Sequence, residues 1–187
     1  MSSRKGFTIY ELLISIAILG TMIIAITNIY IVGLKTFREE LASSQLESNA
    51  QTILDEITTD AKNAQSAEAA YDVYTSGANS IILKIPAIDN SKNILYSGNT
   101  MLFDRIIYYY ENDSIHKITI ADPASIRYKE NNINKTIASK VLELSFSYDP
   151  DAVSATLVTI HVTSHQEIGK LDRTISLTSK ARLRNHL

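Results

Sequence analysis

The pattern of apolar and polar positions divides the chain into three stretches. The first is continuous: after Glu11, the 23 residues from Leu12 to Leu34 carry no charge. A bilayer core takes about 20 apolar residues in a helix, so this segment is long enough to span one. Arg4 and Lys5 precede it, which predicts a cytoplasmic N-terminus and an extracytoplasmic location for everything after Leu34. In the second stretch Ala42, Leu46, Ala50, Ile53, Ile57, Ala61 and Ala64 recur at spacings of three and four, the one-sided stripe of an amphipathic helix. No proline occurs before Pro86, and only Gly20 and Gly33 interrupt the early pattern. One helix is therefore predicted from about Thr8 to Gln65.

From Ser80 the period becomes two. Ser80–Ile85 is a short apolar run ended by Pro86, and Arg105–Glu111 and Ser114–Ile120 flank Asn112-Asp113, a two-residue hairpin signal. In Val141–Tyr148, Leu142, Leu144, Phe146 and Tyr148 are predicted to face one way, opposite Glu143, Ser145 and Ser147. Val158, Ile160 and Val162 alternate with Thr159 and His161 in Ala155–Thr163, and Ile175 and Leu177 stand among hydroxyl residues in Arg173–Ser179. Loops are expected at Ala87–Gly98, Asp122–Lys135 and His165–Leu171. The expected class is α+β: a long N-terminal helix, membrane-spanning in its first half and amphipathic in its second, packed on an antiparallel sheet. The expected divisions are a leader over 1–6, a membrane helix over 7–34, a helical stalk over 35–70 and a β domain over 71–187.

A secretory signal peptide fits the N-terminus poorly. Its apolar core is usually about 7–15 residues long with a small-residue cleavage site after it, whereas this core is longer and runs into Lys35-Thr-Phe-Arg-Glu-Glu40. A plain membrane anchor fits the length but leaves Glu11 unexplained, because an acid at the end of such a helix is unfavourable without a partner. The net charge of −2 gives no basic field that would draw nucleic acid as a main partner. With no cysteine, no disulfide staples the extracytoplasmic part, whose stability must come from an ordinary core.

The residues Lys5-Gly6-Phe7-Thr8-Ile9-Tyr10-Glu11-Leu12-Leu13 resemble the class III signal of type IV prepilins and type II secretion pseudopilins. The resemblance implies a cut by prepilin peptidase between Gly6 and Phe7, N-methylation of Phe7, and retention of the apolar helix in the mature chain. It further implies that Glu11 pairs with the N-terminal amine of a neighbouring subunit. An α-amino group is mostly cationic at neutral pH, and at low dielectric the two charges relieve each other's desolvation. The implied partners are prepilin peptidase, other pilins or pseudopilins, an inner-membrane assembly platform and membrane lipid. The implied location is the cytoplasmic membrane and a filament built from it.

Asn28 stands where major pilins often carry proline. Ile106-Ile-Tyr-Tyr-Tyr110 and Leu177-Thr-Ser-Lys-Ala-Arg-Leu-Arg-Asn185 look like minor pilins of the W or J type. The reading is a structural subunit with no catalytic activity and no cofactor. Its rival is a membrane-anchored extracytoplasmic binding domain that does not assemble.

Other chemistry is weakly supported. His161 and His165 share a strand face and His116 could join them, but no cysteine or acid falls at ligand spacing, so a metal site is not expected. Asp122, Asp149 and Asp151 lie beside prolines without the dense acidic pattern of a calcium loop and read as turn formers. Tyr108–Tyr110 alternate across a strand, so packing accounts for them better than a binding surface does. Asn112-Asp-Ser114 and Asn134-Lys-Thr136 fit the glycosylation sequon, a short match that is common by chance.

Overall fold

The structure is a computed structural model that describes residues 8–152, 154–168 and 171–184. It is α+β, with one helix and antiparallel sheets. The helix α1 spans Ile9–Asn63, two residues short of the expected end. The chain falls into two compact units divided between Ser44 and Gln45, within α1.

In the first unit the described residues form the first part of the helix. Its apolar side chains, from Ile9 through Ile23 to Val32, are exposed on every side. Polar side chains here bond locally: Thr8, just before the helix, bonds Glu11, Ser15 donates to the Glu11 carbonyl, Thr21 to that of Ile18 and Thr27 to that of Ile23.

In the second unit, the helix from Gln45 to Asn63 lies on two sheets. Among the described residues twelve strands follow the helix: β1 Ser66–Glu68, β2 Ala70–Tyr71, β3 Tyr74–Thr75, β4 Ser80–Pro86, β5 Tyr96–Ser97 and β6 Thr100–Met101, then β7 Phe103–Glu111, β8 Ser114–Ile120, β9 Asn134–Ser139, β10 Val141–Asp149, β11 Leu157–Ile168 and β12 Leu171–Arg182. The larger sheet has the order β1-β4-β7-β8-β9 and the smaller β10-β11-β12, with β2-β3 and β5-β6 as separate hairpins. Two sheets thus stand where one was expected. The change of sheet occurs at Lys140, the single residue between β9 and β10, which has a left-handed φ of 61°.

The predicted stripe is the buried face. Leu46, Ala50, Ile53, Ile57 and Ala61 are buried, as is Ala64 just past the helix; Leu54 and Thr58 widen the stripe, while Ala42 is only half-buried. One core cluster joins Ile53, Leu54 and Ile57 to Leu83, Tyr108, Leu144, Ile160 and Val162, so both sheets share the helix. A smaller cluster of Ile82, Ile107 and Ile118 lies on the other face of the five-stranded sheet, with Tyr71 and Tyr74 of the β2–β3 hairpin packed against it.

Several expectations change. Leu142 is exposed and Val141 is buried instead, because the register slips between Val141 and Glu143 and moves the first residue of the run inward. Within Asp122–Lys135, Ile126–Glu130 forms a short 3-10 helix and β9 begins at Asn134. Within His165–Leu171, β11 continues to Ile168 and pairs with β12 in unbroken register from Leu157↔Arg182 to Ile168↔Leu171. Within the expected Ala87–Gly98 loop, Tyr96–Ser97 forms the short strand β5, paired with β6. The Asn112-Asp113 turn is as expected, with φ of 49° and 55° at its two central residues.

A polar contact fixes the helix on the larger sheet. The buried Tyr108 hydroxyl donates to Asp60 Oδ2 at 2.6 Å, and Lys117 Nζ, on the neighbouring strand, donates to the same oxygen at 2.9 Å and to Glu56 Oε1 at 2.7 Å. Burial works against the Lys117 charge, but the hydrogen bonds to Glu56 and Asp60 outweigh it, and the pKa lies above the ordinary lysine value. Burial, reinforced by the Asp60 charge, pushes the Tyr108 hydroxyl far above its ordinary value of 10.0. Burial also raises Tyr148, whose hydroxyl donates to the carbonyls of Gly77 and Ser80.

All three groups are protonated in the folded unit at pH values where the unfolded chain would release its protons. Their contribution is complete below about pH 10 and falls as pH rises past it. Tyr108→Phe should reduce stability near pH 8 by about 1–2 kcal/mol through the lost hydrogen bond. It should also make the decline between pH 8 and 11 shallower. Urea unfolding of the chain in detergent, followed by the near-ultraviolet circular dichroism of tyrosine, measures both; an unchanged pH dependence in the variant would contradict the assignment.

Candidate processing and assembly site

The start of α1 holds the one sequence-predicted functional side chain that lies among the described residues. Gly6 and Phe7 lie outside them. Thr8 is the residue before the helix, and its carbonyl accepts the first helical bond from Leu12 N–H at 3.2 Å. Its backbone N–H and its hydroxyl both donate to Glu11 Oε2, each at 2.9 Å, while Glu11 N–H donates back to Thr8 Oγ1 at 3.3 Å.

This is a capping box: the first residue's side chain takes an orphan helix donor, and the acid three residues on takes another. A carboxylate in the first turn also lies at the positive end of the helix dipole. Glu11 thus has partners within its own chain, which sequence reasoning missed. The signal was present as Thr8-x-x-Glu11 directly before an apolar run. The carboxylate remains on the surface, with one oxygen, Oε1, outside these bonds.

Beyond Glu11, an apolar helix long enough to cross a membrane begins at once, and its apolar window is entirely uncovered by the chain. Residues 1–27 match the family model of the prokaryotic N-terminal methylation motif. The motif spans the basic leader, Gly6, Phe7, Glu11 and the first part of the apolar helix, and it is consistent with the type IV pilin and pseudopilin family. A prepilin-type motif and an apolar helix together fit anchoring in a membrane. No curated protein and no solved structure matches the chain.

The other candidates are placed as follows. His161 bonds the hydroxyls of Thr178 and Thr163 through its two ring nitrogens, and His165 Nδ1 lies 3.0 Å from Asp172 Oδ1. His116 stacks on Tyr109 in the other sheet with ring centroids 5.0 Å apart. Among the described residues no three histidine or acidic side chains are grouped to hold a metal ion. Asp122 accepts from Ala124 N–H, and Asp151 from the N–H and hydroxyl of Ser154, both as turn bonds. Tyr108 is in the core, Tyr109 lies on the opposite face, and the Tyr110 hydroxyl donates to the Val141 and Leu142 carbonyls. Asn112 occupies the hairpin turn, and the Asn134 side-chain amide donates to the Tyr109 hydroxyl at 2.7 Å.

Sequence reasoning also missed a buried carboxylate. Asp104 accepts from Asp122 N–H, Ser125 Oγ and Arg127 Nη1, which anchors the 3-10 helix to β7. It serves the fold, and nothing links it to the prepilin-type motif.

Thr8→Val should remove the hydroxyl from the capping box and loosen the first turn. Amide exchange at Ile9–Leu12, measured in detergent micelles or nanodiscs, should quicken by roughly fivefold, as for loss of a cap worth about 1 kcal/mol. Thr8→Ser should restore the parent rate. Equal exchange in Thr8→Val and the parent would show that the box does not hold the helix start.

Proposed function

We propose that this chain is a prepilin-type structural subunit that is processed in the membrane and assembles into a filament. In this reading prepilin peptidase cuts between Gly6 and Phe7, Phe7 becomes N-methylated, and the chain sits in the cytoplasmic membrane with its N-terminus inside and its β unit outside. Subunits then associate through their apolar helices into a type IV pilus-like or type II secretion filament. It has no catalytic role and is itself the substrate of an enzyme. The β-hairpin and C-terminal resemblances favour a minor subunit of the W or J type.

The observation that carries the reading is the methylation motif over residues 1–27, running directly into a helix with apolar side chains on all sides. A helix of that kind needs a nonpolar environment all around it, which lipid supplies before assembly and other helices supply afterwards. Glu11 adds the polar element. Its bonds to Thr8 use the Thr8 amide and hydroxyl, both of which would survive a cut after Gly6. The carboxylate can then receive the cationic N-terminus of a neighbouring subunit without giving up its cap.

Glu11→Val separates assembly from anchoring. Insertion and expression should hold, because the variant only makes the segment more apolar. Recovery in the sheared filament fraction should fall to background. Equal recovery of parent and variant would contradict the pairing role and favour an anchored domain that does not assemble.

A further inference from the structure

Among the described residues, two polar side chains within the uncharged segment have no hydrogen-bond partner, the Tyr30 hydroxyl at its outer end and the Asn28 carboxamide, the more polar of the two. The hydroxyls of Ser15, Thr21 and Thr27 all donate to carbonyls of their own helix, and the Glu11 carboxylate is held by Thr8. The Asn28 carboxamide makes no hydrogen bond and is exposed. It lies five residues from the middle of Leu12–Leu34, or about 8 Å along the axis, well inside the hydrocarbon of a bilayer about 30 Å thick. Lipid chains offer neither donor nor acceptor, so the group must find a protein partner or remain unsatisfied.

We propose that Asn28 hydrogen-bonds to Asn28 of a second copy of this chain, setting the register of a parallel pair of membrane helices before any filament forms. The proposal rests on the membrane reading given above. A carboxamide carries both donors and an acceptor, so it is complementary to itself. Copies inserted with the same orientation place their Asn28 residues at the same depth, where two carboxamides meet in register. Ala17, Thr21 and Ala25 recur at steps of four, and Asn28 follows three residues later, on one face of the helix. Ile24, Ile31 and Val32 flank Asn28 at steps of three and four, so the paired face is a mixed seam of small and β-branched side chains with the carboxamide within it. A buried asparagine at a helix–helix seam is known to select register and partner number.

The chain has no cysteine, so single cysteines report helix contact without background. Thr21→Cys lies on the Asn28 face and Leu19→Cys half a turn away. Full-length chains are expressed in membranes lacking prepilin peptidase and an assembly platform, washed with alkaline carbonate and oxidised with copper phenanthroline. Thr21→Cys should yield a disulfide-linked dimer of this chain and Leu19→Cys little. Adding Asn28→Leu to Thr21→Cys should lower the dimer yield about three- to tenfold, and Asn28→Gln should retain most of it. Equal yields from the two faces, no effect of Asn28→Leu, or a cross-link to a different protein would overturn the proposal. Loss of the chain to the carbonate wash would overturn the membrane reading itself, whereas retention without Asn28 dependence would overturn the homotypic pair alone.

Discussion

Large apolar side chains stand on every side of the helix from Ile9 to Phe37, and they are exposed. Burying such a side chain is worth about 1.5–3 kcal/mol, so this helix in water would forgo a total far larger than the stability of any domain. In the proposed reading this apolar surface is met by lipid first and by other subunits after assembly. Each polar group on this helix is subject to the same constraint. Thr8 and Glu11 close on each other at its start, three hydroxyls turn back to their own carbonyls, and Asn28 and the Tyr30 hydroxyl are left with their hydrogen-bonding capacity unused.

The β unit answers a different requirement. Its core is shared by two sheets and the second half of the same helix, which buries the apolar stripe of Gln45–Asn63. Apolar contact alone would allow the helix to slide along the sheet. The Tyr108, Lys117, Asp60 and Glu56 contact opposes that, because its short, charge-assisted bonds have one geometry. Thr58 adds a hydroxyl bond to Ser179 of the smaller sheet at 3.0 Å, tying the helix to both.

Where burial imposes a period, the elements were legible in the sequence. The stripe from Leu46 to Ala64 and the alternation of Val158, Ile160 and Val162 are consequences of one-sided burial, and both faces are as expected. The Asn112-Asp113 turn was legible because few residues accept two successive left-handed conformations. β9 was missed because Asn134, Lys135 and Thr136 are exposed and carry no apolar alternation, and the strand exists by pairing with β8. Leu142 was misassigned because a bulge resets the alternation without any local mark. At the candidate site, Glu11 was found by resemblance. Its partner Thr8 could have been found by the spacing of a capping box alone.

Processing is the step on which the account turns, since it decides whether the mature chain begins at Phe7 with a free amine for a neighbour's Glu11. The most direct measurement is mass spectrometry of the N-terminal peptide of the chain recovered from its native membranes. The account predicts that residues 1–6 are absent and that the peptide begins with N-methylated Phe7. A mature chain that still carries Met1–Gly6, or one cut after Leu34, would contradict it.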